Sequence, residues 1–131
     1  MMFLEYFAPG ATVPILSLYL KKCLLFEPYQ LGEILALPAI AAFFAPFIVS
    51  HIADRFLSSE RLLALCHLLA AGAMVALSRQ TSFQSFVIFY FLYGLVFTPT
   101  FGLTNAVALH HVTDPRRDFG GIRMWGTAGW V

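Results

Sequence analysis

Four long apolar runs set the plan of this chain. They cover about 1–20, 31–53, 61–78 and 85–111, and short polar stretches at 21–30, 54–61, 79–84 and 113–121 separate or follow them. At 1.5 Å of rise per residue, each run as a helix reaches about the thickness of a bilayer's hydrocarbon core. A fifth apolar helix opens near residue 122, and the chain stops at Val131 with less than half the length needed to cross. The pattern predicts an all-α integral membrane protein with four transmembrane helices and the start of a fifth, reading as the N-terminal portion (1–131) of something longer. Pro9, Pro14, Pro38 and Pro46 lie inside the first two runs. Membrane helices tolerate such prolines where neighbours satisfy the freed carbonyls.

Polar residues inside the runs are unevenly spread. In the first, Glu5, Thr12 and Tyr19 recur every seven residues and form one stripe. In the fourth, Thr98, Gly102 and Asn105 form another, with Thr104 alongside. The third run has little beyond His67, expected as a packed side chain. Helices with polar stripes face a bundle interior or watery cavity, so helices one, four and five are expected to line a path and helix three to lie outside. The alternative for each Thr or Asn is interhelical glue.

Two charged groups stand out. Arg123, Thr127 and Trp130 fall at i, i+4 and i+7, so one helix face offers a guanidinium fork, a hydroxyl and an aromatic plate. Gly126 and Gly129 lie off that face and leave room for a neighbouring helix. The plainer alternative has Arg123 snorkelling to headgroups from the helix entrance. Glu5 lies about two turns into the membrane, where a carboxylate costs on the order of 3 kcal/mol, enough to rival proton uptake. It is a candidate proton site or substrate ligand, against the alternative of an interfacial acid reaching water.

Composition agrees with a membrane class. The 131 residues are 60% hydrophobic and 11% charged, well below the globular norm of about a quarter. The formal net charge of +1 lacks the basic excess that nucleic-acid binding needs. The first run reads as a span rather than a signal peptide, having no basic n-region or small-residue cleavage site. Cys23 and Cys66 form neither a disulfide framework nor a metal cluster, and no cofactor is expected. His110, His111 and Asp114 could belong to a membrane enzyme. Adjacent helical histidines point about 100° apart, however, and share one ion poorly, so no enzyme is expected. With the N-terminus cytoplasmic, Arg55, Arg61, Arg116 and Arg117 fall inside against Lys21, Lys22 and Arg79 outside, which favours that orientation by one residue.

The stretch Ser50-His51-Ile52-Ala53-Asp54-Arg55 resembles the signature loop of the major facilitator superfamily, with Ser50 where that loop carries glycine. More specifically, the whole chain is similar to the nucleoside:proton symporter family. The matching pieces are Phe3-Leu4-Glu5-Tyr6-Phe7, Ala53-Asp54-Arg55-Phe56-Leu57-Ser58 and Cys66-His67. They continue with Thr98-Pro99-Thr100-Phe101-Gly102-Leu103-Thr104-Asn105 and Ile122-Arg123-Met124-Trp125-Gly126-Thr127.

The resemblance implies a proton-driven nucleoside importer of the cytoplasmic (inner) membrane. The family fold has twelve helices in two halves, each made of inverted three-helix repeats, with the site near the midplane. It implies substrate contacts at Arg123, Thr127 and Trp130 and a gating role for Asp54 and Arg55; Asn105 and Thr104, from the helix-four polar stripe, are expected to join the substrate contacts. The partners implied are a nucleoside, a proton, the lipid bilayer and further C-terminal helices of the same chain. Kept beside this reading are a transporter of another polar solute such as a sugar, and a small membrane interaction protein if the chain is natively complete.

Overall fold

A computed structural model describes residues 1–53, 58–112 and 115–131; for 46, 48–53 and 115–117 it describes the backbone alone. The elements are α1 (Met2–Lys22), α2 (Pro28–Ala53), α3 (Ser59–Leu77), α4 (Phe83–His111) and α5 (Pro115–Trp130). Among the described residues, four segments are long and apolar enough to cross a membrane: Met2–Lys22, Pro28–Ala45, Ser59–Leu77 and Phe83–His111.

α2 and α5 start three and seven residues earlier than the hydrophobic pattern suggests, and both start on proline. At the first helical position proline's fixed φ suits the helix, and its missing N–H would have had no partner there. Before Pro28, the Glu27 amide donates to Gln30 Oε1 at 3.0 Å, one half of a capping box. The loop expected over 113–121 is helical from Pro115, with Asp118 in the first turn, where an acid suits the helix dipole. Arg123 therefore lies eight residues, about 12 Å, along α5 and not at its entrance. Ser82 caps α4, accepting from the Ser85 amide.

Packing divides the helices into two bodies. α4 lies along both α3 and α2, whereas α1 lies along α5. Contacts between the bodies are sparse: α1 touches α2 and α4 lightly, and α5 touches α4 lightly. Lipid tails are as apolar as leucine, so close van der Waals fit has to hold such helices together. Glycines supply it. A Cβ on Gly10 would sit 2.7 Å from the Trp130 carbonyl oxygen, and one on Gly129 would run into the Phe3 carbonyl. Between α2 and α4, a Cβ on Gly94 would meet the Ala41 methyl at 3.1 Å.

At one end of the bundle a cluster of Leu16, Leu20, Ile34, Leu77, Phe86 and Tyr90 joins α1 to α4. Nearer the other end, Leu62, Leu63 and Cys66 of α3 pack on Leu103 of α4. The far face of α3 leaves Leu65, Leu68 and Leu69 exposed, as suits a helix facing lipid.

Candidate functional site

The spacing of Arg123, Thr127 and Trp130 translates into geometry. All three line one cavity of about 210 Å³, and Tyr6 of α1 forms its fourth wall. Gly126 makes this possible: a Cβ there would lie 2.9 Å from the Tyr6 ring, so the glycine lets the ring settle against α5. The Tyr6 ring is also held by Phe101 of α4, with centroids 5.1 Å apart. Arg123 is exposed and has no ion pair among the described residues. Trp130 is 50% exposed, so half of its surface is open to a ligand. The cavity thus presents hydrogen-bond donors from a permanent cation, a hydroxyl, and two aromatic rings. That set suits a flat, polar ring bearing hydroxyls. Tyr6 escaped the sequence reading because it stands about 100° off the Glu5 stripe.

The second polar site is centred on a buried carboxylate. Glu5, in the first turn of α1, is only 2% exposed. Thr100 of α4 donates its hydroxyl toward Glu5 Oε1 and toward the Phe97 carbonyl. Thr104, one turn on, donates to Glu5 Oε2 at 3.1 Å. His67 of α3 brings Nε2 to 3.0 Å from the same Oε2, and its Nδ1 lies 2.9 Å from the Leu63 carbonyl. Both threonines are fully buried, and His67 keeps 42% of its side chain exposed. Three helices therefore converge on one carboxylate. His67 is more than a packed histidine, and α3 contributes to the polar interior through it. The pairing carried no sequence signal: residues 62 positions apart on helices of different register have no shared period.

The structure separates the two helix-four candidates. Thr104 belongs to the Glu5 cluster and not to the Arg123 cavity, and its hydroxyl proton is committed to Glu5. Asn105 has a buried Oδ1 with no hydrogen-bond partner among the described residues. A ring ladder links the two sites: Tyr6 packs on Phe101, Phe101 on Phe97 at 5.4 Å, and Phe97 on the His67 ring at 6.2 Å.

Comparison with known proteins identifies the setting. The Nucleoside H+ symporter family matches residues 1–131, the whole chain. The chain belongs to this family.

YegT of Escherichia coli (strain K12), which carries a provisional nucleoside-transporter name, is 40% identical over 131 residues, covering 100% of this chain and 31% of YegT. A maltose permease of Geobacillus stearothermophilus is 33% identical over 131 residues, covering 98% of this chain and 33% of that protein. The crystal structure of a mutant of the nucleoside transporter NupG superposes with a TM-score of 0.91 at 27% identity, covering 98% of this chain and 33% of that one. The chain thus spans about a third of the length of the curated relatives it matches. Its five helices have the fold of the N-terminal part of a major facilitator transporter, and the family is one of transporters, not enzymes.

Within this family setting, the remaining expectations fall as follows. Asp54 and Arg55, expected as a gate, lie outside the described residues, as does Asp114 of the enzymatic alternative. His111 Nε2 lies 3.4 Å from Glu60 Oε1, and its Nδ1 is 2.9 Å from the Val107 carbonyl. Both ring nitrogens of that histidine are thereby occupied by its own bundle.

Proposed function

We propose that the protein is a proton-coupled nucleoside transporter working by alternating access, and that this segment supplies one wall of its substrate site. The observation that carries the reading is the cavity where Tyr6, Arg123, Thr127 and Trp130 meet. Trp130 and Tyr6 can sandwich or flank a nucleobase, while Arg123 and Thr127 hydrogen-bond base or ribose oxygens. An exposed arginine some 12 Å along a helix, with no ion pair among the described residues, favours a ligand as its partner over headgroups. Asn105, whose buried Oδ1 has no hydrogen-bond partner among the described residues, is the remaining helix-four candidate for a substrate contact. Thr104 serves Glu5 instead. Glu5 is the proton-coupling residue of the segment, and Asp54 and Arg55 act at the gate between states. The remaining helices of the transporter complete the site, in the cytoplasmic membrane with the N-terminus inside.

The test is uptake of labelled uridine by the full-length protein and its Arg123→Ala variant. The expected result is proton-dependent uptake by the parent and loss of uptake in the variant with membrane insertion unchanged. Normal uptake by the variant would remove the site assignment. A second reading, a sugar, is favoured by the likeness to the maltose permease. Competition decides between them: uptake blocked by excess unlabelled nucleosides and not by maltose supports the nucleoside, and the reverse pattern supports the sugar.

A further inference from the structure

The geometry points to Glu5 and His67 as a single proton-binding pair that, when loaded, clamps the α1–α5 body to the α2–α3–α4 body. The inference rests on the transporter reading above and deepens it by giving the proton two named carriers and a mechanical effect.

Counting hydrogens fixes the protonation of the pair. The Leu63 carbonyl can only accept, so His67 Nδ1, 2.9 Å away, carries a proton. In a neutral ring Nε2 then has a lone pair and no hydrogen. That lone pair would face Glu5 Oε2 at 3.0 Å. An ionised carboxylate there would set lone pair against anion in a buried site. The contact is attractive only if one more proton lies in it, either as imidazolium donating to carboxylate or as carboxylic acid donating to imidazole. Moving the ring proton to Nε2 does not help, since Nδ1 would then turn a lone pair on the Leu63 carbonyl. The observed arrangement is therefore the loaded state. Thr100 fits it as well: its single hydroxyl proton has two acceptors, the Phe97 carbonyl and Glu5 Oε1. With the pair's proton between Oε2 and Nε2, Oε1 stays an acceptor and shares the Thr100 hydroxyl proton with the Phe97 carbonyl.

Position gives the pair its consequence. α1 touches the other body lightly, and Glu5 is where it is tied by side-chain hydrogen bonds to both α3 and α4. Loss of the proton breaks the α3 tie. Tyr6, the next residue, walls the Arg123 cavity and packs on Phe101 of α4, so release of the α1–α5 body takes that support from the cavity wall. A cavity of about 390 Å³ reaches both Glu5 and His67 and gives the proton a way in. The other titratable groups around the pair are the α-amino group of Met1, a residue that lines that cavity, Glu60 on α3, which lines it too and meets His111 of α4, and Cys66 beside His67. Tyr93 of α4 lies within electrostatic range of Glu5. On α5, Arg123 pairs with none of them among the described residues.

The experiment uses the full-length protein, with Glu5→Gln and His67→Gln variants. pH-difference infrared spectroscopy without nucleoside reads the protonated carboxyl directly, between about pH 5 and about pH 8. The expected result is a titrating carboxyl component in the parent that is missing from Glu5→Gln and has its midpoint moved by about one pH unit or more in His67→Gln. In proteoliposomes, Glu5→Gln loses at least about tenfold of the stimulation of nucleoside uptake by a pH gradient of one unit or more. A parental band in Glu5→Gln, or an unmoved midpoint in His67→Gln, overturns the pair. Failure of the parent to carry any nucleoside would overturn the transport reading instead, and the infrared titration would still decide the pair.

Discussion

Glu5 and Arg123 are both charged residues within apolar helices, and the molecule treats them in opposite ways. Glu5 is almost wholly buried, and both its oxygens are met by side chains from two other helices. Arg123 is exposed beside an open cavity, with no ion pair among the described residues. A buried charge stripped of its partners is strongly destabilising, so the surroundings of Glu5 must be complete before any ligand arrives. A guanidinium has five donors in a fixed fork, and leaving them without a protein partner keeps them available to substrate. The contrast assigns internal work to the first region and recognition to the second, with α1 shared between them through consecutive residues Glu5 and Tyr6.

The sharpest way to break the contrast is Arg123→Ala. Loss of a charge-assisted contact of about 3 kcal/mol lowers substrate affinity or uptake roughly a hundredfold, with thermal stability unchanged. If Arg123→Ala instead unfolds the protein, the arginine holds the fold and does not serve recognition. Next comes Gly129→Leu, which drives a side chain into the Phe3 carbonyl. Overpacking of this kind costs about 1–3 kcal/mol, and the expected readout is a lower melting temperature together with lost uptake, because the cavity walls separate. Thr104→Val removes one donor to Glu5 and should cost about 0.6–2 kcal/mol of stability while leaving nucleoside affinity intact. An affinity loss without a stability loss would move Thr104 back to the substrate side. Asn105→Leu is expected to do the reverse at smaller scale. It lowers substrate affinity a few-fold and leaves stability unchanged or slightly improved, since an unpartnered buried carbonyl is removed.

The Arg123 face was legible in the sequence because all three residues lie on one helix, where a fixed period converts spacing into direction. Helical class and the membrane setting were legible for a similar reason, as length and apolarity act locally. The Glu5–His67 contact was not, because no period relates α1 to α3 and the closeness of those helices depends on α4 between them. Helix starts at Pro28 and Pro115 were hidden by a double meaning: proline ends a helix from inside but begins one from its first position. The run Arg116-Arg117-Asp118 reads as loop on polarity alone, whereas a helix leaving the membrane surface can carry such charges through its first turns.

The most direct test of the central claim is equilibrium binding of labelled uridine to the purified full-length protein, compared with Arg123→Ala and Thr104→Val. The expected result is saturable binding by the parent, its loss in Arg123→Ala, and parental affinity in Thr104→Val. Equal binding by the parent and Arg123→Ala would contradict it, because the open, unpaired guanidinium would then have no part in recognising substrate.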